Sequence, residues 1–194
     1  MASPLDAQMA FLTEACKLKS VTRATLLCDG SRRENSGEHS WHLALYAMTL
    51  AEHAPTEVDI NRVIRMLLLH DLVEIDPGDA PIFGTHDTAA IEANERIAAK
   101  RIFGLLPSQQ GHIFLQLWQE FEKNDTPDAK FAKSLDRFQP PNQNLASGGG
   151  SWIEYDVQYD TVASKVGAKI AHGAPTLWAW IAPKIQHFFA THKK

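Results

Sequence analysis

The stretch RMLLLHDLVEI, residues 65–75, decides how this chain is read. An apolar run suited to a buried helix carries His70, Asp71 and, one turn later, Glu74. Three such groups buried without partners would cost several kcal/mol together. On a helix, His70 and Asp71 diverge by about 100°, so one metal ion fits between them. Glu74 follows at i+3 and i+4 and projects over the same patch. A divalent cation accounts for the cluster, because it turns buried polar groups into ligands and keeps carboxylates ionised.

Two ligands are too few, so further ones are sought on other apolar segments. In GEHSWHLAL, residues 37–45, His39 and His42 open the most apolar helix. In KFAKSLDRFQP, residues 130–140, Phe131, Leu135 and Phe138 mark a core stripe, while Lys130, Lys133 and Arg137 read as a solvated face. Asp136 falls beside that stripe, one turn after Ala132, where it can turn inward. Each group alone has an ordinary reading. His39 or His42 can cap or pack at a helix start, and Asp136 can pair with Lys133.

The surrounding chain reads as helix after helix. Residues 5–20 place Leu5, Met9, Leu12 and Cys16 at helical spacing, which predicts an amphipathic first helix. VTRATLLCDGSRREN, residues 21–35, reads as a connector with an Asp-Gly turn. A second helix starts with Ser36 as N-cap and stops before Pro55; a third starts at Asp59. DPGDAPIFGTH, residues 76–86, is a loop by its prolines and glycines. Amphipathic segments follow over 87–106, 107–124 and 128–140. PPNQNLASGGGS, residues 140–151, reads as a flexible loop, and the last helices are expected near 155–171 and 175–191. No strand alternation or internal repeat stands out. The expected fold class is all-α, a single-domain bundle of seven to eight helices over 1–194.

Composition restricts the function classes. The chain has 194 residues, 44% apolar and 22% charged, with a formal net charge of −4. That charge gives no global drive toward nucleic acid or an anionic membrane. No apolar run nears the ~18 residues of a membrane span. Cys16 and Cys28 form no CxxC pair, and no signal-peptide pattern opens the chain, so a cytoplasmic setting with free thiols is expected. SGGGS is followed by no Gly-Lys-Ser/Thr and is not a phosphate-binding P-loop.

The order EHS…HDLVE…LDRFQP resembles the HD-domain metal-dependent phosphohydrolases, in the branch related to 5′-deoxynucleotidases. The likeness spans roughly residues 15–140 and includes LKSVTRATLLCDGSRRENSGEHSW and PGDAPIF. It implies metal ligands at His39, His70, Asp71 and Asp136, with His42 outside the set. It implies Glu74 as the catalytic carboxylate, Asp79 as a catalytic or substrate-binding group, and Arg23 against the nucleotide. Those nucleotidases that select deoxyribose have a tryptophan directly after this arginine, and here the residue is Ala24. Strict deoxyribose selectivity is therefore not expected.

Two imidazoles and two carboxylates leave two positions open on an octahedral ion, which suits Mn²⁺, Co²⁺, Fe²⁺ or Mg²⁺, with Zn²⁺ less usual. The expected activity is release of phosphate from (deoxy)nucleoside 5′-monophosphates by a water of lowered pKa on the metal, with Glu74 moving the proton. Arg23, Arg32 and Arg33 are candidates for the phosphate, since a guanidinium binds its oxygens bidentately. His86, in the loop after Asp79, reads equally as an ordinary residue near a helix start. The alternatives are a different phosphate or pyrophosphate ester, a di-iron oxygenase needing further histidines, or a non-catalytic metal-binding scaffold. The apolar stretch APTLWAWIAPKIQHFF, residues 174–189, offers a homodimer surface, with internal packing as the plain alternative.

Overall fold

The computed structural model describes residues 3–192. Helix α1 (Pro4–Ala15) begins with a capping box, in which Ser3 Oγ accepts from the Asp6 amide and Asp6 accepts from the Ser3 amide. The expected apolar stripe faces outward: Leu5, Met9 and Leu12 are exposed, as is Cys16, and Phe11 is the residue that enters the core. A 3-10 turn, Cys16–Ser20, then buries Leu18.

Residues 21–35, expected as a plain connector, form an antiparallel hairpin of β1 (Thr22–Leu26) and β2 (Arg33–Asn35). Thr22 pairs with Asn35 and Leu26 with Arg33, an irregular register that bends the ribbon. The Asp-Gly turn closes it: Ser31 donates its amide to Asp29 Oδ1 at 2.9 Å, and Gly30 adopts φ 71°. Strands this short lack the alternation that makes a strand visible in a sequence.

Helix α2 (Ser36–Thr49) is capped by Asn35 and not by Ser36, again as a capping box, with Glu38 at N3. Helix α3 (Ile60–Leu69) starts on Asp59, whose carboxylate accepts from the Asn61 and Arg62 amides. Past Leu69 the α-helix stops, and His70–Ile75 wind as a 3-10 turn. The remaining elements are α4 (Thr88–Phe103), α5 (Ser108–Lys123), α6 (Pro127–Ala146), α7 (Gly150–Glu154), α8 (Tyr159–Val162), a π turn (Ala163–Gly167), α9 (Ala168–Gly173) and α10 (Pro175–Thr191). The all-α bundle is as expected, and its excess over eight helices consists of short pieces such as α7 and α8.

The largest departure is at residues 140–151. Pro140 and Pro141 sit inside α6, which runs on to Ala146. The chain then reverses on Gly148, Gly149 and Gly150, at φ 76°, 117° and 42°. Only glycine takes three such conformations in a row without cost. The reversal is locked by Asn144, which donates from Nδ2 to Ser151 Oγ at 3.0 Å and accepts the Ser151 amide at 3.1 Å.

One continuous core joins α2, α3, α5, α6 and α10 through Leu43, Met66, Leu117, Phe131, Leu135 and Ile181. α10 turns Leu177, Ile181, Ile185 and Phe188 inward, so internal packing uses most of the apolar C-terminal stretch. Trp118 is buried in this core, while Trp180 is 53% exposed. Among the described residues, no helix is long and apolar enough to cross a membrane.

Candidate metal centre and substrate cleft

Four elements converge on one buried site. α2 brings His39, the 3-10 turn brings His70, Asp71 and Glu74, α6 brings Asp136, and the hairpin brings Arg23 and Glu34. The 3-10 turn has three residues per cycle, so Asp71 and Glu74 stand one directly above the other. The α-helical spacing assumed for HDLVE would have placed them about 60° apart. The tighter winding points both carboxylates at Arg23.

One donor atom each from His39, His70 and Asp136 lies within 4.8 Å of the others, and all three residues are buried. Asp136 Oδ1 is 3.1 Å from His39 Nε2 and 3.7 Å from His70 Nε2. Asp71 flanks the trio, Oδ1 2.9 Å from His70 Nε2 and Oδ2 4.0 Å from His39 Nε2. Both rings have their outer nitrogen engaged. His70 Nδ1 is 2.8 Å from the Leu67 carbonyl, which only accepts, so Nδ1 carries the proton there. His39 Nδ1 is 3.1 Å from Gln139 Oε1, with the same consequence. In the neutral rings this leaves both Nε2 lone pairs toward the centre, the tautomers a metal ligand needs.

The site fits a divalent cation on two counts. His70 Nε2 is buried, with Asp71 Oδ1 at 2.9 Å and Asp136 Oδ1 at 3.7 Å but no well-aligned hydrogen bond to either, the donor grouping that an ion would bridge. The local charge is also heavily negative. Asp71, Asp136, Glu34, Glu74 and Asp79 gather around Arg23 and the two rings. Burial opposes a charge on His70, but Asp71 and Asp136 overcome it and push its pKa up to about 10. Burial likewise opposes ionisation of Asp136, yet the Arg137 charge and the two imidazoles hold its pKa well below the usual carboxylate value.

Glu74 behaves in the opposite way. Burial, reinforced by Asp71 and Asp79, pushes its pKa well above the usual value against the pull of Arg23. Its Oε2 accepts a hydrogen bond from Ser36 Oγ at 2.7 Å, which fixes the carboxyl beside the trio without making it a member. Asp79 is raised by burial too, and lies 3.7 Å from Arg23 Nη1. His86 is exposed, with Nε2 held by the Pro81 carbonyl at 3.0 Å.

A cleft whose empty space, mouth included, is ≈ 590 Å³ opens beside this centre, lined by Arg23, Ala24, Asp79, Phe83, Arg137 and Tyr155, among others. Of the expected substrate arginines, Arg23 lines the cleft and Arg33 does not. Arg33 pairs on the exposed side with Glu154, Nη2 to Oε1 at 2.6 Å, and Arg32 pairs with Glu38 at 2.6 Å.

Three residues of the site were not singled out from the sequence as part of it. Gln139 accepts from His39 and donates to Glu34 Oε1 at 2.9 Å. Its place at i+3 from Asp136 was a legible signal for the same helix face. Glu34 carried no such signal, because it depends on the hairpin. Arg137, read as solvated, lines the cleft instead.

The HD domain family matches residues 15–178. The chain belongs to this family. A solved structure from Magnetospirillum magnetotacticum MS-1, named a predicted metal-dependent phosphohydrolase, resembles this HD-domain chain at a TM-score of 0.90 and 46% identity, covering 96% of each chain. Among curated proteins, the chain is similar to the Homo sapiens 5′-deoxynucleotidase HDDC2, 28% identical over 130 residues, which are 66% of this chain and 62% of that protein. The Escherichia coli 5′-deoxynucleotidase YfbR is 26% identical over 156 residues, 75% of this chain and 78% of its own. The match to the human relative thus spans less than two thirds of that relative's length.

Proposed function

We propose that this HD-domain protein is a divalent-metal-dependent phosphomonoester hydrolase acting on (deoxy)nucleoside 5′-monophosphates. The observation that carries the reading is the buried trio of His39, His70 and Asp136, flanked by Asp71, whose neighbours Arg23, Asp79 and Arg137 line a cleft. The names of the relatives support the same activity. His39, His70, Asp71 and Asp136 would hold the ion, which is Mn²⁺, Co²⁺, Fe²⁺ or Mg²⁺ by its mixed nitrogen and oxygen donors. When bound, such an ion polarises a phosphoryl oxygen and lowers the pKa of water.

The chain's own residues do the rest. Arg23 sets the carboxylates: its Nη1 donates to Asp71 Oδ2 at 2.8 Å, so Asp71 keeps Oδ1 toward the histidines. Glu74, with a raised pKa, exchanges a proton at Oε2 near the reacting phosphorus, either taking it from water or giving it to the leaving alkoxide. Asp79 and Arg23 line the cleft where the sugar would lie. Ala24 presents only a methyl group there, which supports acceptance of ribose as well as deoxyribose.

The exposed Trp41, Met48 and Trp180 support a homodimer, and the exposed thiols of Cys16 and Cys28 suit a reducing cytoplasm. Sedimentation gives the oligomeric state directly. The activity is tested by phosphate release from ribo- and deoxyribonucleoside monophosphates with Mn²⁺, Co²⁺, Mg²⁺ or chelator. Metal-dependent release, lost in Asp71→Ala, is expected. Silence across the panel with metal bound would overturn the nucleotidase reading and turn attention to other phosphate esters.

A further inference from the structure

The two histidines of the trio have their outer nitrogens held by different devices. His70 Nδ1 meets a backbone carbonyl, that of Leu67 at 2.8 Å, which can only accept. His39 Nδ1 meets a side-chain amide, with Gln139 Oε1 at 3.1 Å. An amide can present either its oxygen or its nitrogen, and the two choices impose opposite tautomers on a neutral ring. The oxygen leaves the Nε2 lone pair for the centre, whereas the nitrogen would place a proton there. What orients Gln139 therefore decides whether His39 can be a ligand.

The orienting group is Glu34 on β2. Its Oε1 accepts from Gln139 Nε2 at 2.9 Å, and a carboxylate has no proton to give an amide oxygen turned the other way. The same Oε1 accepts from Gln143 Nε2 at 3.0 Å, one turn further along α6. Oε2 stands 3.4 Å from His39 Nδ1 and 3.8 Å from Arg23 Nε. Two amide donors and a guanidinium favour the ionised carboxyl. The remaining proton of Gln139 Nε2 faces His42 Nδ1 at 3.3 Å, which accepts it when His42 is protonated on Nε2. Gln139 is fully buried and Glu34 is 1% exposed, so bulk water offers neither an alternative partner.

We propose that Glu34 is a positioning residue for the metal centre: through Gln139 it fixes His39 with the proton on Nδ1 and the Nε2 lone pair toward the ion. The hairpin then reaches the centre by two routes, Arg23 to Asp71 directly and Glu34 to His39 through the amide. A carboxylate behind a ligating imidazole also strengthens the ring as a donor. The inference rests on the metal centre of the proposed function and needs no particular substrate.

The test compares two glutamines of α6. Gln139→Met and Gln143→Met each remove one buried amide donor from Glu34 Oε1, and of the two only Gln139 hydrogen-bonds His39. Mn²⁺ affinity is titrated for both variants, for Glu34→Gln and for wild type. The visible absorption of the Co²⁺-loaded proteins records the ligand geometry. Gln139→Met and Glu34→Gln are expected to weaken Mn²⁺ by about 10- to 100-fold and to alter the Co²⁺ bands. A glutamine at position 34 can turn either amide end to Gln139, so the orientation is lost. Gln143→Met, a buried change of the same kind, should bind Mn²⁺ within about twofold of wild type with unchanged bands. Affinity within about twofold of wild type in Gln139→Met or Glu34→Gln overturns the relay. An equal loss in Gln143→Met overturns it too, because the effect would then be one of packing. If Glu34→Gln fails to fold, the two glutamine variants decide on the same criterion. A wild-type protein that binds no Mn²⁺ sinks the metal centre and the relay with it, whereas Mn²⁺ bound with an affinity indifferent to Gln139 sinks the relay alone.

Discussion

Arg23 on β1 and Asp71 in the 3-10 turn meet through Nη1 and Oδ2 at 2.8 Å, with about a tenth of each side chain exposed. This contact ties the hairpin to the bundle, and it sets which Asp71 oxygen remains for the histidines. Removing one member of a buried ion pair leaves the other charge stranded, at a cost of about 3–5 kcal/mol. Arg23→Met should therefore destabilise the metal-free protein by an amount of that order in urea denaturation. A loss below about 1 kcal/mol, the scale of an exposed pair, would show that the carboxylates do not depend on Arg23.

A bound ion should stabilise the fold, because it binds the native site and not the unfolded chain. At a free Mn²⁺ concentration 100 times its Kd, the gain is about 2.7 kcal/mol. The melting temperature of wild type should rise on adding Mn²⁺ and fall back with chelator. Asp136→Asn and Asp71→Ala should fold and lose that response. Full metal content by elemental analysis in either variant would remove the residue from the ligand set.

Glu74→Gln keeps the shape and the Ser36 contact but cannot move a proton. Metal content should stay at the wild-type level while kcat drops by about 10²–10⁴. Unchanged turnover would take Glu74 out of the chemistry and leave it as a buried neighbour of Arg23.

Glu95 on α4 offers a pH test. Burial, with Glu122 as the next contribution, raises its pKa from 4.5 to about 7. Below 4.5 the carboxyl is protonated in both folded and unfolded states and contributes nothing. Between 4.5 and 7 the unfolded chain gives up the proton first, so stability falls as pH rises, and the full penalty holds above 7. Glu95→Gln should raise the melting temperature at pH 8 and leave it unchanged at pH 4. An equal effect at both would mean the carboxyl is not destabilised by its surroundings.

Gly173 closes α9 against α6. A Cβ there would stand 2.2 Å from the Lys130 carbonyl oxygen and 2.6 Å from Ser134 Oγ. The obstacle is largely backbone, so Gly173→Ala should cost about 1–3 kcal/mol, the scale of overpacking. Wild-type stability in this variant would show that the two helices can separate freely.

Much of this protein was legible in its residues. Apolar periodicity marks the buried helices, and their capping residues mark several of the starts, as at Asp59. The ionisable groups that interrupt apolar runs, His70, Asp71 and Asp136, are conspicuous because burial without partners would be costly, and the structure brings them together. Other features had no local signature. Leu5, Met9 and Leu12 keep helical spacing yet face outward, since spacing shows that a stripe exists and not what covers it. Pro140 and Pro141 read as a helix break, but α6 carries them because its neighbours hold it by packing. The hairpin is two short strands stabilised by the bundle beneath, so the arrival of Arg23 and Glu34 at the centre could not be read from residues 21–35 alone. The sequence by itself thus determined the helical class and singled out His70, Asp71 and Asp136 as candidate donors, because burial and periodicity are local constraints. Only the tertiary structure decided that Arg23, Glu34 and Gln139 join the centre while Arg33 turns away to Glu154, because that depends on distances between segments far apart in the chain.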